Sequence, residues 1–242
     1  MHEVIKNQKP SIRAAFSCVC IYISLQECYN VSIMQNRGNT MYKNIFTGED
    51  YSDETLEQVV DGNSYEGCSF KTCDFSLLER VEDVMFEECN FTSARLNGVT
   101  FKNCAFLNCK FKYARLFGTI FENCKMTGSS FEGSDCELIE IKGGDWSYCD
   151  LRYLSFYKQD FSNIRFRECD MSGTEFRKCT LRNCDFHSAI MDGASFEESD
   201  IRGSDINGSD LRVVSFKKAK IDLQQCVLLA EQLSGGQFEP ED

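Results

Sequence analysis

The chain of 242 residues is poor in proline, histidine and tryptophan, with two, two and one respectively, and has no long apolar run. No segment approaches the ~20 apolar residues that a membrane-spanning helix needs. The 15 cysteines form no Cys-x-x-Cys pair, which argues against a zinc site. No basic stripe of the kind that binds nucleic acid is present. We therefore expect no membrane, metal or nucleic-acid partner.

Catalytic groupings are absent from the sequence as well. His187 stands alone, and no glycine-rich loop follows a strand pattern. We expect the acidic side chains to face solvent singly rather than as the paired carboxylates of acid–base chemistry. We predict a protein without enzyme activity and without a cofactor, whose function lies in its surface.

The most regular feature of the chain is a five-residue period. Every fifth residue from Phe86 to Ile221 is apolar, in 28 successive positions. A helix turns about 500° in five residues and would scatter these side chains around its axis. A flat strand would expose every second one. Only a chain that turns a corner every five residues keeps all of them inside, so the period predicts a β-solenoid of stacked coils.

A second inward position, mostly small, lies two residues before each apolar centre. Ten of the 15 cysteines occupy it, interchangeably with Ala, Ser and Thr. Because free cysteine packs as a small hydrophobe, we interpret these residues as core. Neighbours such as Cys89 and Cys109 come close enough to form a disulfide, which a reducing compartment prevents. We predict a cytoplasmic protein with free thiols.

The small position is overfilled in the middle of the repeat, by Ile139, Leu154, Gln159 and Ile164. We therefore predict a local distortion between residues 139 and 165. Gly144 lies two residues before Trp146 and leaves room for the indole. Trp146 is interpreted as a core residue, with a surface anchor for a partner as the alternative.

Four units illustrate the repeat: CDMSG (169–173), followed by SDIRG, SDING and SDLRV (199–213). Over about residues 42–221 the motif resembles the pentapeptide-repeat family. The resemblance implies an all-β, right-handed, four-sided β-helix with 20 residues per coil; the period alone leaves three or four sides open. We predict a non-repeat extension at 1–40, the β-helix at 41–221, and a C-terminal helix and tail at 222–242.

The period stops after Ile221, and the next segment, DLQQCVLLAEQLSGG, predicts a helix. Asp222 is the predicted N-cap, Gln225 completes a capping box, and Gly235 lies just past the end. Apolar residues cover more than one face, so one face can seal the last coil and another can meet a second copy. A cap alone is the alternative. The predicted dimerisation residues are Leu223, Val227, Leu228, Ala230 and Leu233.

Two irregularities interrupt the period near its start. Leu56 and Tyr65 are nine residues apart, which predicts a short loop at Glu57–Ser64. Phe75 and Val81 are six residues apart, which predicts a one-residue bulge. Neither insertion is long.

Residues 1–40 carry no repeat. Their apolar run AAFSCVCIYISL follows three basic residues but precedes no clear cleavage site. We interpret the segment as a disordered or mis-assigned extension, with Met41 as a candidate start. A secretory signal is the alternative.

The net charge of −12 is unevenly spread. Residues 41–85 hold 11 acidic and 3 basic side chains, whereas residues 86–221 hold 20 and 19. Of the four sides, the one containing Phe86, Phe106 and Trp146 is the acidic one, which indicates a partner-binding surface; a solvated mixed-charge surface is the alternative. The predicted partner-binding residues are Glu57 and Asp61 in the loop and Glu87, Glu88, Asp145, Glu168, Asp185 and Asp205 on that side.

Two further stretches, FTGE at 46–49 and KIDLQQCVLLAEQLSG at 220–235, resemble the quinolone-resistance (Qnr-like) group of DNA-mimic proteins. The resemblance implies a homodimeric rod that binds DNA gyrase or topoisomerase IV where DNA would lie, and protects it from fluoroquinolones or peptide toxins. In that group some members protect through projecting loops, and others without large loops mainly inhibit. The alternative is a scaffold or interaction module with another partner.

Overall fold

The computed structural model describes residues 42–236, and in them the chain winds as a stack of four-sided coils closed by one helix. The predicted all-β, right-handed, four-sided β-helix is confirmed. The predictions for residues 1–40 lie outside the described residues. The elements are β1 (Ile45–Thr47), β2 (Ser64–Glu66), β3 (Arg80–Glu82), β4 (Met85–Glu87), β5 (Thr100–Lys102), β6 (Ala105–Leu107), β7 (Ile120–Lys125), β8 (Glu140–Asp145), β9 (Ser155–Tyr157), β10 (Glu175–Arg177) and α1 (Leu223–Ser234).

Every strand pairs in parallel with the strand one coil away. Phe86 of β4 pairs with Phe106 of β6, and Phe101 of β5 pairs with Phe121 of β7, each twenty residues on. Single bridges such as Asn90 to Lys110 continue the stacking where no strand is formed. Four units of five residues therefore make one coil. We name its sides by their apolar centres: side A holds Phe86, Phe106 and Trp146; side B Phe91 and Phe111; side C Leu96 and Phe156; side D Phe101 and Phe121.

The five-step apolar positions form the core, as the period predicts. From Phe86 to Leu211 all of them are buried, and only the last two, Phe216 and Ile221, are half-buried because no coil follows them. Phenylalanines stack in columns along the rod: the ring centroids of Phe86 and Phe106 are 4.9 Å apart, with an interplanar angle of 10°. Such aromatic pairs contribute ~0.5–1.5 kcal/mol beyond the burial of their area.

The small position has a second role besides its size. Its hydroxyl and thiol groups donate to a main-chain carbonyl of the preceding coil: Thr119 Oγ1 to Leu96 O (2.8 Å), Ser129 Oγ to Phe106 O (3.0 Å), and Cys124 Sγ to Phe101 O (3.3 Å). Cys, Ser and Thr therefore interchange because each is small and each carries a donor.

Two coils at the start depart from twenty residues. Ile45 pairs with Ser64, nineteen residues on, and Ser64 pairs with Met85, twenty-one on. The predicted bulge after Phe75 accounts for the longer coil and is confirmed, because Asp74 pairs with Arg95 at the longer spacing whereas Arg80 pairs with Thr100 at twenty.

The predicted loop at Glu57–Ser64 has no strand before Ser64 and no bridge to a neighbouring coil. It is one residue shorter than two regular units, and its C-terminal end is fixed to the coils on either side. Lys43 N donates to Gly62 O (2.7 Å), Asp61 Oδ1 accepts from Glu82 N (3.1 Å), and Asn63 is buried. From the sequence alone, the nine-residue spacing shows that this part of the chain departs from the five-residue period. It does not show whether the coil becomes longer or shorter.

The predicted distortion between 139 and 165 is confirmed as a break in the hydrogen-bond ladder. On sides A and B pairing continues through it, from Asp145 to Arg165 and from Asp150 to Asp170. On sides C and D no bridge or backbone hydrogen bond joins residues 134–143 to residues 155–162. We call this break the ladder gap.

The cause of the ladder gap lies in the small position of side D. Thr119 and Cys179 fill it in the regular coils, whereas Ile139 and Gln159 occupy it in two successive coils. Two long side chains at positions that elsewhere hold small ones keep these coils from approaching to pairing distance. Gln159 Oε1 is buried there without a hydrogen-bond partner.

Trp146 is a core residue, with 1% of its surface exposed, as interpreted from the sequence. Gly144 has a φ of 105°, and a Cβ there would lie 2.1 Å from the carbonyl oxygen of Cys124, so only glycine fits this close approach. The indole Nε1 has no hydrogen-bond partner. An apolar void of about 10 Å³ lies beside it, at the lower limit of the volume that one water needs.

Helix α1 has the predicted caps. Asp222 accepts from Gln225 N, the Gln225 side chain accepts from Asp222 N, and Gly235 ends the helix with a φ of 69°. Two glutamines fix it to the last coil: Gln225 Nε2 donates to the carbonyls of Ile201 and Ser204, and Gln232 bonds Ser209 and Leu211. The helix therefore supplies hydrogen-bond partners to a sheet edge that no further coil covers. Within residues 42–236 no helix is long and apolar enough to cross a membrane.

Candidate protein interaction surfaces

Three of the acids predicted on side A form a column with cations between them. Asp145, Asp185 and Asp205 lie in one column along the rod, interleaved with Lys125 and Arg165. Arg165 approaches Asp145 at 4.0 Å. This column therefore alternates in charge over much of its length.

Further side chains reach the same column from the side. Arg167 Nε donates to Asp185 (3.2 Å), and His187 Nδ1 lies 3.5 Å from Asp205. Glu168 accepts from the hydroxyl of Tyr148 (3.1 Å). His187 is thus not isolated, although the sequence places it alone. The C-terminal half of side A is a mixed-charge surface.

Two of these aspartates have lowered pKa values. Burial raises the pKa of Asp145, but hydrogen bonds from Ser147 and the charge of Arg165 outweigh it, so that the pKa falls below the ordinary value. The same balance lowers the pKa of Asp205, where burial is outweighed by hydrogen bonds from Asn207 and the proximity of His187. Both groups are anionic at neutral pH, and hydrogen bonds from neighbouring residues stabilise their negative charge.

A second acidic surface surrounds the first two coils. Among the described residues, Arg80 and Arg95 form ion pairs with two of the acids of residues 49–88, Glu82 and Asp74. Nine further acids of this region have no ion pair within the described chain; we call them the acidic band, which comprises Glu49, Asp53, Glu54, Glu57, Asp61, Glu66, Glu79, Asp83 and Glu88.

Like charges are adjacent within this region. Glu66 and Glu87 are register partners on side A, so their side chains leave the sheet on the same side, about 4.8 Å apart in backbone spacing. Adjacent like charges destabilise a sheet.

The sequence prediction thus divides in the structure. Glu57, Asp61, Glu87 and Glu88 lie in or beside the acidic band, whereas Asp145, Glu168, Asp185 and Asp205 lie on the mixed-charge part of side A. Asp61 also accepts a hydrogen bond from Glu82 N and so has a structural role. Counting acidic and basic residues on each side did not show which of them are neighbours. Comparing each acid with the residue twenty positions away in the sequence would have shown this.

The outer face of α1 carries an apolar stripe. Leu223 and Leu233 are 66% and 70% exposed, and Cys226 and Ala230 between them are exposed too. Val227 and Leu228 are half-buried, and Leu228 lies toward the last coil beside Ile206. Of the predicted dimerisation residues, Leu223, Ala230 and Leu233 therefore point outward. Cys226 joins them, although it was not among the predicted dimerisation residues.

The core thiols are unlike catalytic or metal-binding thiols. Burial raises the pKa of Cys73 and of Cys136 to about 12, which keeps them protonated. No group of three or more His, Cys, Asp or Glu in the described chain is arranged to hold a metal ion.

The repeating small–large pairs on four sides define a quadrilateral β-helix, and family comparisons agree with this geometry. The model of the pentapeptide repeat region matches residues 139–222, and that of pentapeptide repeats (8 copies) matches residues 86–123. Together they span about half of the chain. The chain belongs to the pentapeptide-repeat family.

Solved structures with this fold include QnrB1, described as a plasmid-mediated fluoroquinolone resistance protein. Two trypsin-treated forms of QnrB1 match with TM-scores of 0.69 and 0.68 at 22% and 21% identity, over 81% of this chain and 97% and 99% of theirs. Full-length QnrB1 matches with a TM-score of 0.57 at 22% identity, over 78% of this chain and 96% of its own. At this identity the likeness establishes the fold. No curated protein sequence matched the chain.

Proposed function

We propose that this protein binds the DNA-binding surface of a type II topoisomerase, DNA gyrase or topoisomerase IV, as a rigid mimic of DNA. The observation that carries the proposal is the acidic band, in which carboxylates without cation partners encircle the first two coils. A surface that binds phosphates through Lys and Arg would bind these carboxylates by the same charge-assisted hydrogen bonds. The fold shared with QnrB1 supports this choice of partner.

Protection from fluoroquinolones is the activity that we assign to the complex. In the described chain the coil that contains Glu57–Ser64 is one residue shorter than a regular coil, so this segment is not a large insertion. The resemblance to Qnr-like proteins associates loops with protection and their absence with inhibition. Protection by this protein therefore has to come from the acidic band and side A occupying the place of DNA.

A homodimer through α1 completes the proposal. The exposed stripe of Leu223, Cys226, Ala230 and Leu233 would be covered by its own copy across a two-fold axis. Mild oxidation of the protein should then give a disulfide-linked dimer through Cys226, absent in Cys226→Ser. A Leu223→Glu and Leu233→Glu double variant should be monomeric by light scattering. A monomeric parent protein would refute this interface.

The supercoiling activity of DNA gyrase, with and without ciprofloxacin, tests the main proposal. Recovery of supercoiling on adding the protein supports protection, and loss of supercoiling without the drug supports inhibition. No effect at micromolar protein would leave the scaffold or interaction module with another partner. Sheared DNA added as a competitor should displace the protein if the two share a site.

Charge variants locate the surface. Replacing Glu57, Glu66 and Glu88 by glutamine should weaken topoisomerase binding by about tenfold, because it removes charge-assisted contacts that together amount to ~1.4 kcal/mol or more. The same change in charge at Glu132, Asp192 and Glu198, on coils far from the band, should have little effect. A further variant with asparagine at Asp145, Asp185 and Asp205 tests whether the binding surface extends along side A. Equal losses in the first two variants would refute the acidic band as the site.

A further inference from the structure

The ladder gap leaves two backbone edges facing each other without partners. In the regular coil before it, Leu116 N donates to Asp135 O (2.8 Å) and Gly118 N to Glu137 O (3.1 Å). The equivalent donors one coil later, on Cys136, Leu138 and Ile141, make no bond to the following coil. The carbonyls that would have accepted lie on Ser155, Tyr157 and Asp160.

The gap opens to the surface as a groove. Its volume is about 810 Å³, within the range of ~300–1,000 Å³ found for ligand sites. Leu138 and Tyr157 are more than half exposed at its margin, and Gln159, with its unpartnered Oε1, lines it. Beneath the groove lies the apolar void between Ile141 and Phe161, so the groove is polar at its mouth and apolar at its base.

We propose that the ladder gap is a site for β-strand addition, in which an extended peptide segment of a partner protein lies between the two open edges. Only a polypeptide backbone presents donors and acceptors that alternate at strand spacing on both of its edges. A peptide here would complete two ladders at once and give Gln159 a partner. Buried backbone groups gain most from such pairing, because leaving them unpaired is costly.

The neighbouring strands indicate the orientation and pattern of the peptide. Every pairing in the described rod is parallel, and the opposite edge of β8 already accepts β7 as a parallel strand. In β8, Glu140 and Lys142 are exposed and Ile141 between them is buried. The bound segment therefore carries an apolar side chain between Ile141 and Phe161, with polar residues on either side of it.

A suitable probe is the strand that β8 already pairs with. The capped octapeptide TIFENCKM, residues 119–126, places a phenylalanine at the position that pairs with Ile141. It is added at ~1 mM to the full-length protein, and backbone hydrogen exchange is followed by mass spectrometry. Exchange in residues 134–143 and 155–162 should slow about tenfold, while exchange on sides A and B stays unchanged.

The matched control is the same peptide with alternate backbone nitrogens methylated, which keeps every side chain but removes donors. It should not slow exchange. A protein variant gives a second control: Ile139→Thr with Gln159→Ser restores small residues, so its coils should pair and the octapeptide should lose its effect. The fluorescence of Trp146 shows whether this variant is folded. If the variant does not fold, the methylated peptide serves as the only control.

Four results would overturn the proposal. They are no slowing with the octapeptide, equal slowing with the methylated peptide, exchange in the gap that is already as slow as on sides A and B, and slowing that increases with protein concentration alone. The third would mean that the ladder is closed in solution. The fourth would mean that a second copy of the chain occupies the gap.

Discussion

Truncating one ring in the middle of the phenylalanine columns should be far more costly than truncating one at the end. The Phe106→Ala variant removes a fully buried ring, for which such truncations cost ~3–5 kcal/mol. The ring stacks on Phe86 at 4.9 Å and meets its other neighbours edge-on. Those edge-on partners are Phe91, Phe101, Phe111 and Phe121. We therefore expect a cost at the upper end of this range.

The control is Phe216→Ala at the open end of the same rod. Phe216 is half-buried and stacks on Phe196 alone, at 5.7 Å. Its truncation should cost about half as much, ~1.5–2.5 kcal/mol, since part of its surface already lies in water and it has a single ring neighbour. Both variants keep the backbone unchanged, so the comparison isolates the contribution of ring packing.

Urea unfolding followed by the emission of Trp146 measures both costs, because this is the one tryptophan in the chain. The lower midpoint should belong to Phe106→Ala, with far-ultraviolet circular dichroism giving the same midpoint if the coils unfold together. A loss below 1 kcal/mol for Phe106→Ala, or equal losses in the two variants, would show that the columns are not the main source of stability.

Four further outcomes follow from single residues. Among the cysteines of residues 42–236, only Cys226 should react with iodoacetamide at pH 8 in the folded protein, because the others are buried; labelling of core peptides would contradict this. The hydrogen bond from Arg202 lowers the pKa of Asp200 to about 2, so its contribution to stability is present above pH ~4 and is lost as the pH falls toward 2. The decrease in urea midpoint between pH 4 and 2 should therefore be smaller in Arg202→Ala. Gly144→Ala should cost at least ~2 kcal/mol in urea unfolding, because its Cβ would overlap a carbonyl oxygen. Trp146→Phe, measured by circular dichroism, should cost less than ~2 kcal/mol, since it also removes an unpaired buried donor.

Much of the fold follows from the sequence because the period acts at every unit. Positions such as Phe101 and Phe121 could be assigned to the core without knowing their neighbours, since any other geometry would expose them. The oversized Ile139 and Gln159 likewise located the ladder gap, because volume at a small position is a local property. The capping residues of α1 are local too, and they were predicted by residue.

Features that depend on pairing between coils were harder to predict. The count of acids on side A ignored Arg167 beside Asp185 and Arg165 beside Asp145, which meet only because the coils stack. The shortening of the coil at Glu57–Ser64 was hard to predict for the same reason, since the length of a coil is defined only by its register with the next one. The donor role of the small position follows from the shared chemistry of Ser, Thr and Cys, whereas the preference for small residues alone does not require it.

The unequal first coils have a consequence for how this rod can change in length. One coil is one residue shorter than twenty and the next is one residue longer. Together they contain forty residues, so that all four sides are back in alignment at Met85. Deleting a single residue elsewhere would shift every later residue by one position, a fifth of a side, relative to the preceding coils. Buried rings would then move toward water. Insertions and deletions should therefore survive as compensating pairs within about one turn of each other, or as whole units of five. New recognition segments are best grafted into the first two coils, where the chain already combines a one-residue deletion with a one-residue insertion.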